Sequence, residues 1–106
     1  MAELLHLAIP DEYRAAGDTY VPAGYDQDGF VHCCLQSQIK GVLQRWFQAA
    51  DTLFLLELDA GMFVDTLKYE VSPSGEAFPH IYAPIPIKAV RSVRRVVRDE
   101  RGEWAL

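Results

Sequence analysis

The apolar run from Leu53 to Asp59 constrains the fold of this chain more than any other segment. Its side chains are apolar at both odd and even positions, and Glu57 is the one charged residue before Asp59. Because successive side chains of a strand point to opposite faces, such a run predicts a central strand that is covered on both sides. The fold must therefore place a layer of structure on each face of a sheet.

A helix and further strands can supply those layers. Between residues 35 and 47 the apolar residues recur at the spacing of one helical face, which predicts an amphipathic helix packed on a sheet. They are Leu35, Ile39, Val42, Leu43, Trp46 and Phe47. Strands are predicted at 4–9, 30–33, 67–71 and 89–97, with a short strand at 103–106 and a short helix at 12–16 capped by Asp11.

Proline and glycine set the remaining boundaries. They predict a turn-rich loop at 20–29, and Pro84 and Pro86 preclude a regular helix or a central strand where they stand. The resulting class is α+β in a single domain, residues 1–106, with about six or seven strands and two helices.

Composition indicates a soluble globular protein. Hydrophobic residues make up 50% and charged residues 24% of the 106 residues, which is enough apolar surface for one core. No apolar run approaches the roughly 20 residues that a membrane helix needs. Two adjacent cysteines, Cys33 and Cys34, cannot build a disulfide framework, and the first residues lack the basic flank of a secretory signal. We therefore predict a cytoplasmic protein without a membrane partner.

Charge is distributed unevenly along the chain. Residues 1–87 carry four basic and twelve acidic side chains, whereas residues 88–106 carry six basic and three acidic ones. The basic residues of the second stretch are Lys88, Arg91, Arg94, Arg95, Arg98 and Arg101. A basic cluster can contact phosphate, but aromatic interleaving is absent and the domain is acidic overall. We interpret the cluster as a solvated strand face and predict no nucleic-acid partner.

Three histidines, His6, His32 and His80, stand within or beside apolar segments. Histidine can donate and accept hydrogen bonds and can transfer a proton near neutral pH, so it suits both ribose binding and acid–base catalysis. We predict that the segments around His32 and His80 face each other across one small-molecule pocket. In the alternative interpretation each histidine is a core residue that is bonded to a backbone carbonyl.

The spacing of histidines and cysteines argues against a metal site. Cys-x-x-Cys and His-x-x-x-His are absent, and His32 and Cys33 point to opposite faces of their strand. Strand alternation leaves one alternative, a three-ligand site made by His32, Cys34 and His80. Neither cysteine is predicted to be a nucleophile, because a buried thiol is usually inert. A glycine-rich phosphate cradle is also absent.

Two segments of the chain resemble a known family. Residues 28–34 (DGFVHCC) and 78–85 (FPHIYAPI) are similar to the Gly-Phe-Ile-His and Phe-Pro-His-Leu-Tyr-Gly-Pro segments of the domain of unknown function 952 family. That family is grouped with the ADP-ribosyltransferase-like folds. The resemblance implies a split, curved β-sheet with two short helices and a cleft that, in active relatives, holds a nicotinamide dinucleotide.

The resemblance also implies roles for individual residues. His32 and His80 are the implied acid–base or ribose-binding groups, and Glu70 is the acidic residue nearest to the third motif. The implied substrate-binding residues are His6, Phe30, Phe78 and Tyr82. The chain departs from the relatives because His80 stands where a glutamate is expected and His32 where a tyrosine is expected. The carboxylate that ribosyl transfer needs is therefore assigned to Glu70.

Three functions remain open at this point. The first is an enzyme, an NAD-utilising transferase or glycohydrolase, for which NAD is a substrate. The second is a non-catalytic module that binds a nucleotide or another metabolite. The third is a structural or partner-binding domain whose histidines belong to the core. The first two predict a small-molecule ligand, and no bound cofactor or metal is predicted.

Overall fold

The computed structural model describes residues 4–106, and it confirms the α+β class. In chain order the elements are β1 (Leu4–Ala8), α1 (Pro10–Arg14), β2 (Thr19–Tyr20), α2 (Tyr25–Asp28), β3 (Val31–His32), α3 (Ile39–Trp46), β4 (Thr52–Leu58), β5 (Leu67–Val71), β6 (Ala77–Ile81), β7 (Ile85–Pro86) and β8 (Val90–Val97). Three 3-10 turns lie at Gln36–Gln38, Ala60–Phe63 and Ile87–Ala89. Among the described helices, none is long and apolar enough to cross a membrane.

The strands form three small antiparallel sheets. Sheet A has the order β1-β4-β8, sheet B pairs β2 with β7, and sheet C has the order β3-β6-β5. An isolated bridge between Leu5 and Cys34 connects sheet A to the segment that follows β3. The apolar run around residues 53–58 is the middle strand of sheet A, as predicted.

Sheet A is covered on both faces, which is what the two-sided apolar pattern of β4 requires. Leu53 and Leu55 pack with Ile39 and Leu43 of α3 in one core cluster. Leu56 lies in a second cluster on the other face, together with buried residues of sheets B and C: Tyr20, Val31, Ile81 and Ile85. Leu53 and Leu56 are both completely buried, so β4 joins the two clusters.

The first helix begins earlier than predicted. It covers Pro10–Arg14 rather than 12–16, because the fixed φ of proline fits the first helical position, where its missing N–H costs no hydrogen bond. The N-cap residue is Ile9, and no side chain caps the helix. The predicted capping role of Asp11 is therefore wrong.

The long predicted helix is shorter and begins with a 3-10 turn. Trp46, expected on the buried face, is 73% exposed at the end of α3. Gln38 explains the start of the helix: its Oε1 accepts from the backbone N–H of Leu35 at 3.0 Å, and its Nε2 donates to the carbonyl of Ala77 at 2.7 Å. One buried side chain thus ties the start of α3 to β6.

Gln38→Ala is expected to lower the free energy of unfolding by about 1–3 kcal/mol, because it removes two hydrogen bonds from a buried position. Urea denaturation measures this loss. Gln36→Ala is the matched control, since Gln36 is exposed in the same turn and should change stability by less than about 0.5 kcal/mol. Equal losses of unfolding free energy in the two variants would contradict a stabilising role for the two hydrogen bonds of Gln38.

Two further boundaries differ from prediction, whereas the position of Pro86 agrees with it. The segment 20–29, expected as a loop, contains the last residue of β2 and all of α2. Pro86 lies in the two-residue strand β7, which tolerates proline because sheet B has only two strands and β7 has a free edge. The expected terminal strand is a single bridge between Arg98 and Trp104.

Candidate functional site

The register of β3 and β6 places the two histidine segments side by side. His32 pairs directly with His80, and their ring centroids lie 5.4 Å apart in an edge-to-face arrangement. The two segments therefore do not face each other across a pocket, because directly paired residues of antiparallel strands project to the same face. His32 is also not buried as predicted, since its side chain is 63% exposed.

Glu70 on β5 orients His80. Nδ1 of His80 lies 2.7 Å from Oε1 of Glu70, and the hydroxyl of Tyr82 donates to the same oxygen at 2.5 Å. These two hydrogen bonds lower the pKa of Glu70 and keep its carboxylate ionised. The bond from Tyr82 has the larger effect, and the bond from His80 the next largest. An ionised carboxylate only accepts, so Nδ1 of His80 carries the proton. In neutral His80 the lone pair is therefore on Nε2.

Phe30 covers one face of the His80 ring. The two rings are stacked with centroids 4.0 Å apart and planes inclined by 19°. The ring of Tyr82 lies 5.2 Å from that of Phe30, and the ammonium of Lys68 lies 4.9 Å from the centre of the Tyr82 ring. Phe30 and Tyr82, two of the predicted binding residues, therefore join both histidines in one partly exposed aromatic cluster, in which the side chain of His80 is 15% exposed.

A second carboxylate–histidine pair lies beside the first. Nε2 of His32 is 2.8 Å from Oδ2 of Asp28, the last residue of α2. Gly29 follows with φ of 80°, a left-handed conformation that glycine adopts without strain, and this turn lets Asp28 reach a residue four positions later. Because Nε2 donates to Asp28, neutral His32 has its lone pair on Nδ1.

His6 lies beneath this site and not in it. Its Nδ1 donates to the backbone carbonyl of His32 at 2.6 Å, and its Nε2 accepts from the hydroxyl of Tyr20 at 2.8 Å. Burial lowers the pKa of His6 to about 4, so the ring is neutral at pH 7. His6 is thus a core histidine bonded to a backbone carbonyl, as in the alternative interpretation. Its hydrogen bond supports the backbone at His32.

The two cysteines lie in the interior, and Phe78 packs against it. Phe78 is partly buried against the cluster that contains α3, although it projects to the same face of β6 as His80 and pairs directly with Glu70. Cys33 packs in the cluster around Leu56 and Cys34 in the cluster around Leu53. Burial raises the pKa of both thiols, that of Cys34 to about 12. Both thiols are therefore protonated at neutral pH and poor nucleophiles.

Metal binding has no geometric support in the described part of the chain. Residues 4–106 contain no group of three or more histidine, cysteine, aspartate or glutamate side chains placed to hold a metal ion. The alternative with His32, Cys34 and His80 does not assemble, because Cys34 is 2% exposed within the core next to α3, whereas His32 lies at the surface.

Sequence reasoning missed three residues that shape the site. Asp28 could have been found, because an aspartate four residues before a histidine with a glycine between them is a local signal. Lys68 faces the cluster because it pairs with His80 across β5 and β6, and that register is not visible in the sequence. Tyr20 bonds to His6 from a separate sheet, and no local pattern indicates this contact.

Tyr82→Phe is expected to raise the pKa of Glu70, because it removes the hydrogen bond that contributes most to its lowering. Carboxyl chemical shifts followed by NMR across an acid titration measure that change. Tyr69→Phe is the matched control, since Tyr69 lies on the opposite face of β5 and is 53% exposed. An unchanged Glu70 titration in Tyr82→Phe would rule out this hydrogen bond in solution.

Comparison with known proteins supports the fold and gives no activity. A family model described as "Protein of unknown function (DUF952)" matches residues 8–93. The crystal structure of protein CC0527 from Caulobacter crescentus is 27% identical, with a TM-score of 0.88 over 98% of this chain and 94% of that chain. The solution NMR structure of CC0527 gives a TM-score of 0.81 over 94% and 89% of the two chains. Among curated proteins, none matches the chain.

Proposed function

We propose a function for this chain, which belongs to the DUF952 family of proteins of unknown function. The histidine cluster binds the ribose of a nicotinamide dinucleotide or a related nucleotide and acts on its ribosyl bond. The observation that carries this proposal is the pairing of both histidines with carboxylates on one exposed sheet face. Vicinal ribose hydroxyls donate and accept hydrogen bonds, so they are complementary to imidazole nitrogens and carboxylate oxygens held side by side.

The reaction in this proposal is cleavage at C1′ of the ribose. The bond to the nicotinamide nitrogen breaks, and nicotinamide leaves with the electron pair. Water or an acceptor hydroxyl adds to C1′ and passes its proton to Nε2 of His80. Glu70 stabilises the positive charge that develops on the ribose, and its Oε2 is the oxygen not already bonded to Tyr82 and His80.

Charge around the cluster supports a ribose there and phosphates at its margin. Asp28 and Glu70 would repel a phosphate group placed between the histidines. Lys68, beside Tyr82, is the nearby cation that can attract one. The ribose is therefore assigned to the histidines and the phosphate groups to the side of Lys68.

The same proposal assigns the fold to the ADP-ribosyltransferase-like superfamily and the protein to the cytoplasm. Two antiparallel sheets, A and C, joined by one bridge at Leu5 and Cys34, support a split-sheet arrangement. Two free, buried cysteines support a reducing compartment.

A non-catalytic nucleotide-binding module is the second candidate. One observation favours it: Phe30 stacks on His80 at 4.0 Å and covers one face of the ring. The cluster could then hold a ligand by hydrogen bonds while the ring has limited access to a reacting atom. Release of nicotinamide from NAD separates the two candidates, because the binding module releases none.

Isothermal titration calorimetry with NAD, ADP-ribose and nicotinamide mononucleotide tests both candidates. We expect saturable binding of at least one ligand, weakened roughly tenfold or more by Glu70→Gln, which removes a charged hydrogen-bond acceptor. Glu76→Gln is the matched control, because it makes the same charge change outside the cluster, where Glu76 lies 4.0 Å from Arg45. Absence of binding for all three ligands, or equal affinity in Glu70→Gln and the wild type, would overturn the proposal.

A further inference from the structure

A concave site lies on the face of sheet A that also packs against α3. Its volume is about 190 Å³, and its lining residues are Leu5, Gln36, Leu55, Glu57, Ser92 and Arg94. Strand register explains the grouping, since Leu5, Glu57 and Ser92 form one cross-strand row, and Leu55 and Arg94 pair in the next. No residue is shared with the histidine cluster.

The site has an apolar floor and a polar rim with two opposite charges. Leu5 is 3% and Leu55 6% exposed, so both are anchored in the core. Glu57 on β4 and Arg94 on β8 stand at diagonal positions of neighbouring strands. Within residues 4–106 they form no ion pair with each other or with any other group within 4.0 Å. Their charges are therefore available to a ligand.

The volume restricts the ligand to a small molecule. A cavity of 190 Å³ corresponds to about six molecules of liquid water and lies below the roughly 300 Å³ at which pockets for drug-sized ligands begin. A dinucleotide does not fit in it. A free amino acid does.

We propose that this site binds a small zwitterion, a free α-amino acid with a short aliphatic side chain. The guanidinium of Arg94 accommodates the carboxylate, which it can bind with two hydrogen bonds, and Glu57 binds the ammonium group. The aliphatic side chain lies on Leu5 and Leu55. A simple anion would be repelled by Glu57 and a simple cation by Arg94, so a ligand with both charges is the one that matches the rim.

NMR titration of the isotope-labelled protein with L-valine tests this proposal. We expect chemical-shift changes concentrated at the six lining residues, with saturation in the millimolar range. N-acetyl-L-valine lacks the ammonium and L-valinamide lacks the carboxylate, so each should bind roughly tenfold more weakly or not at all. Absence of shifts with L-valine, or equal binding of all three compounds, would overturn the proposal.

Arg94→Gln and Arg95→Gln form a matched pair of variants. Both remove one positive charge from β8, but Arg95 pairs with Phe54 and projects to the other face of the sheet. We expect Arg94→Gln to weaken L-valine binding roughly tenfold and Arg95→Gln to leave it within about twofold. Equal weakening in both would show a general charge effect and contradict a site at Arg94. His80→Ala should not change L-valine binding, which keeps this test separate from that of the nucleotide site.

Discussion

His80→Ala is expected to lower the rate of nicotinamide release from NAD by roughly 10²- to 10⁴-fold, the usual contribution of a positioned acid–base group. The expected loss follows from the geometry of His80, whose Nδ1 is bonded to Glu70 and whose Nε2 is left as the basic nitrogen. Chromatographic measurement of released nicotinamide gives the rate. The melting temperature should fall by only a few degrees, because His80, with a side chain that is 15% exposed, belongs to neither core cluster.

His80→Asn distinguishes loss of proton transfer from loss of packing. The asparagine amide keeps a donor near the position of Nδ1 and can still bond to Glu70, but it cannot accept and release a proton near neutral pH. We expect it to be as inactive as His80→Ala and closer to the wild type in stability. Full activity in either variant would exclude His80 as a catalytic residue. A large loss of stability in both His80→Ala and His32→Ala would indicate that the cluster is structural.

Acidification from pH 6.5 to 4 is expected to cost the fold about 3 kcal/mol through His6 alone. Burial lowers the pKa of His6 in the folded protein to about 4, from 6.5 in an unfolded chain. Between these values the unfolded chain binds the proton and the folded protein does not, so unfolding is favoured as the pH falls. The stabilisation is fully present above pH 6.5. Urea denaturation at a series of pH values measures it.

His6→Gln is the control for this pH dependence. A glutamine amide can donate to the carbonyl of His32 and accept from Tyr20, but it does not titrate. We expect the variant to lose most of the pH slope between 6.5 and 4. The pKa of Glu70 is also lowered, so its contribution to stability is lost only as the pH falls through and below the usual value of 4.5. Both proteins contain Glu70, and the difference between their pH slopes therefore isolates the contribution of His6. Equal slopes would contradict a buried neutral His6.

The parts of the fold that follow from periodicity could be predicted from the sequence. The two-sided apolar pattern of 53–58 predicts β4, and the helical stripe from Ile39 to Leu43 predicts the buried face of α3. Trp46 continues the same stripe but lies at the last residue of α3, where little of the core remains to cover it. A periodic pattern indicates which face is apolar, and tertiary packing decides how far along the helix that face is covered.

The site could be predicted only in part for the same reason. The two histidine segments and their neighbours Phe30, Glu70 and Tyr82 do assemble, because β3, β6 and β5 are adjacent in sheet C. The sequence presents His6 and His32 alike, as one polar residue in an apolar run. Their burial differs because β1 is covered by both core clusters, whereas β3 is an outer strand of two residues. Strand position, and not local pattern, separates them.

The arginines of β8 have a consequence for how copies of this protein meet one another. β8 is the outer strand of sheet A, and an outer strand offers unpaired backbone groups on which a second sheet can grow. Arg91, Arg94 and Arg95 are exposed along that strand. Two copies that approached through this edge would bring the same positive charges together, so the basic cluster of an otherwise acidic chain opposes edge-to-edge aggregation.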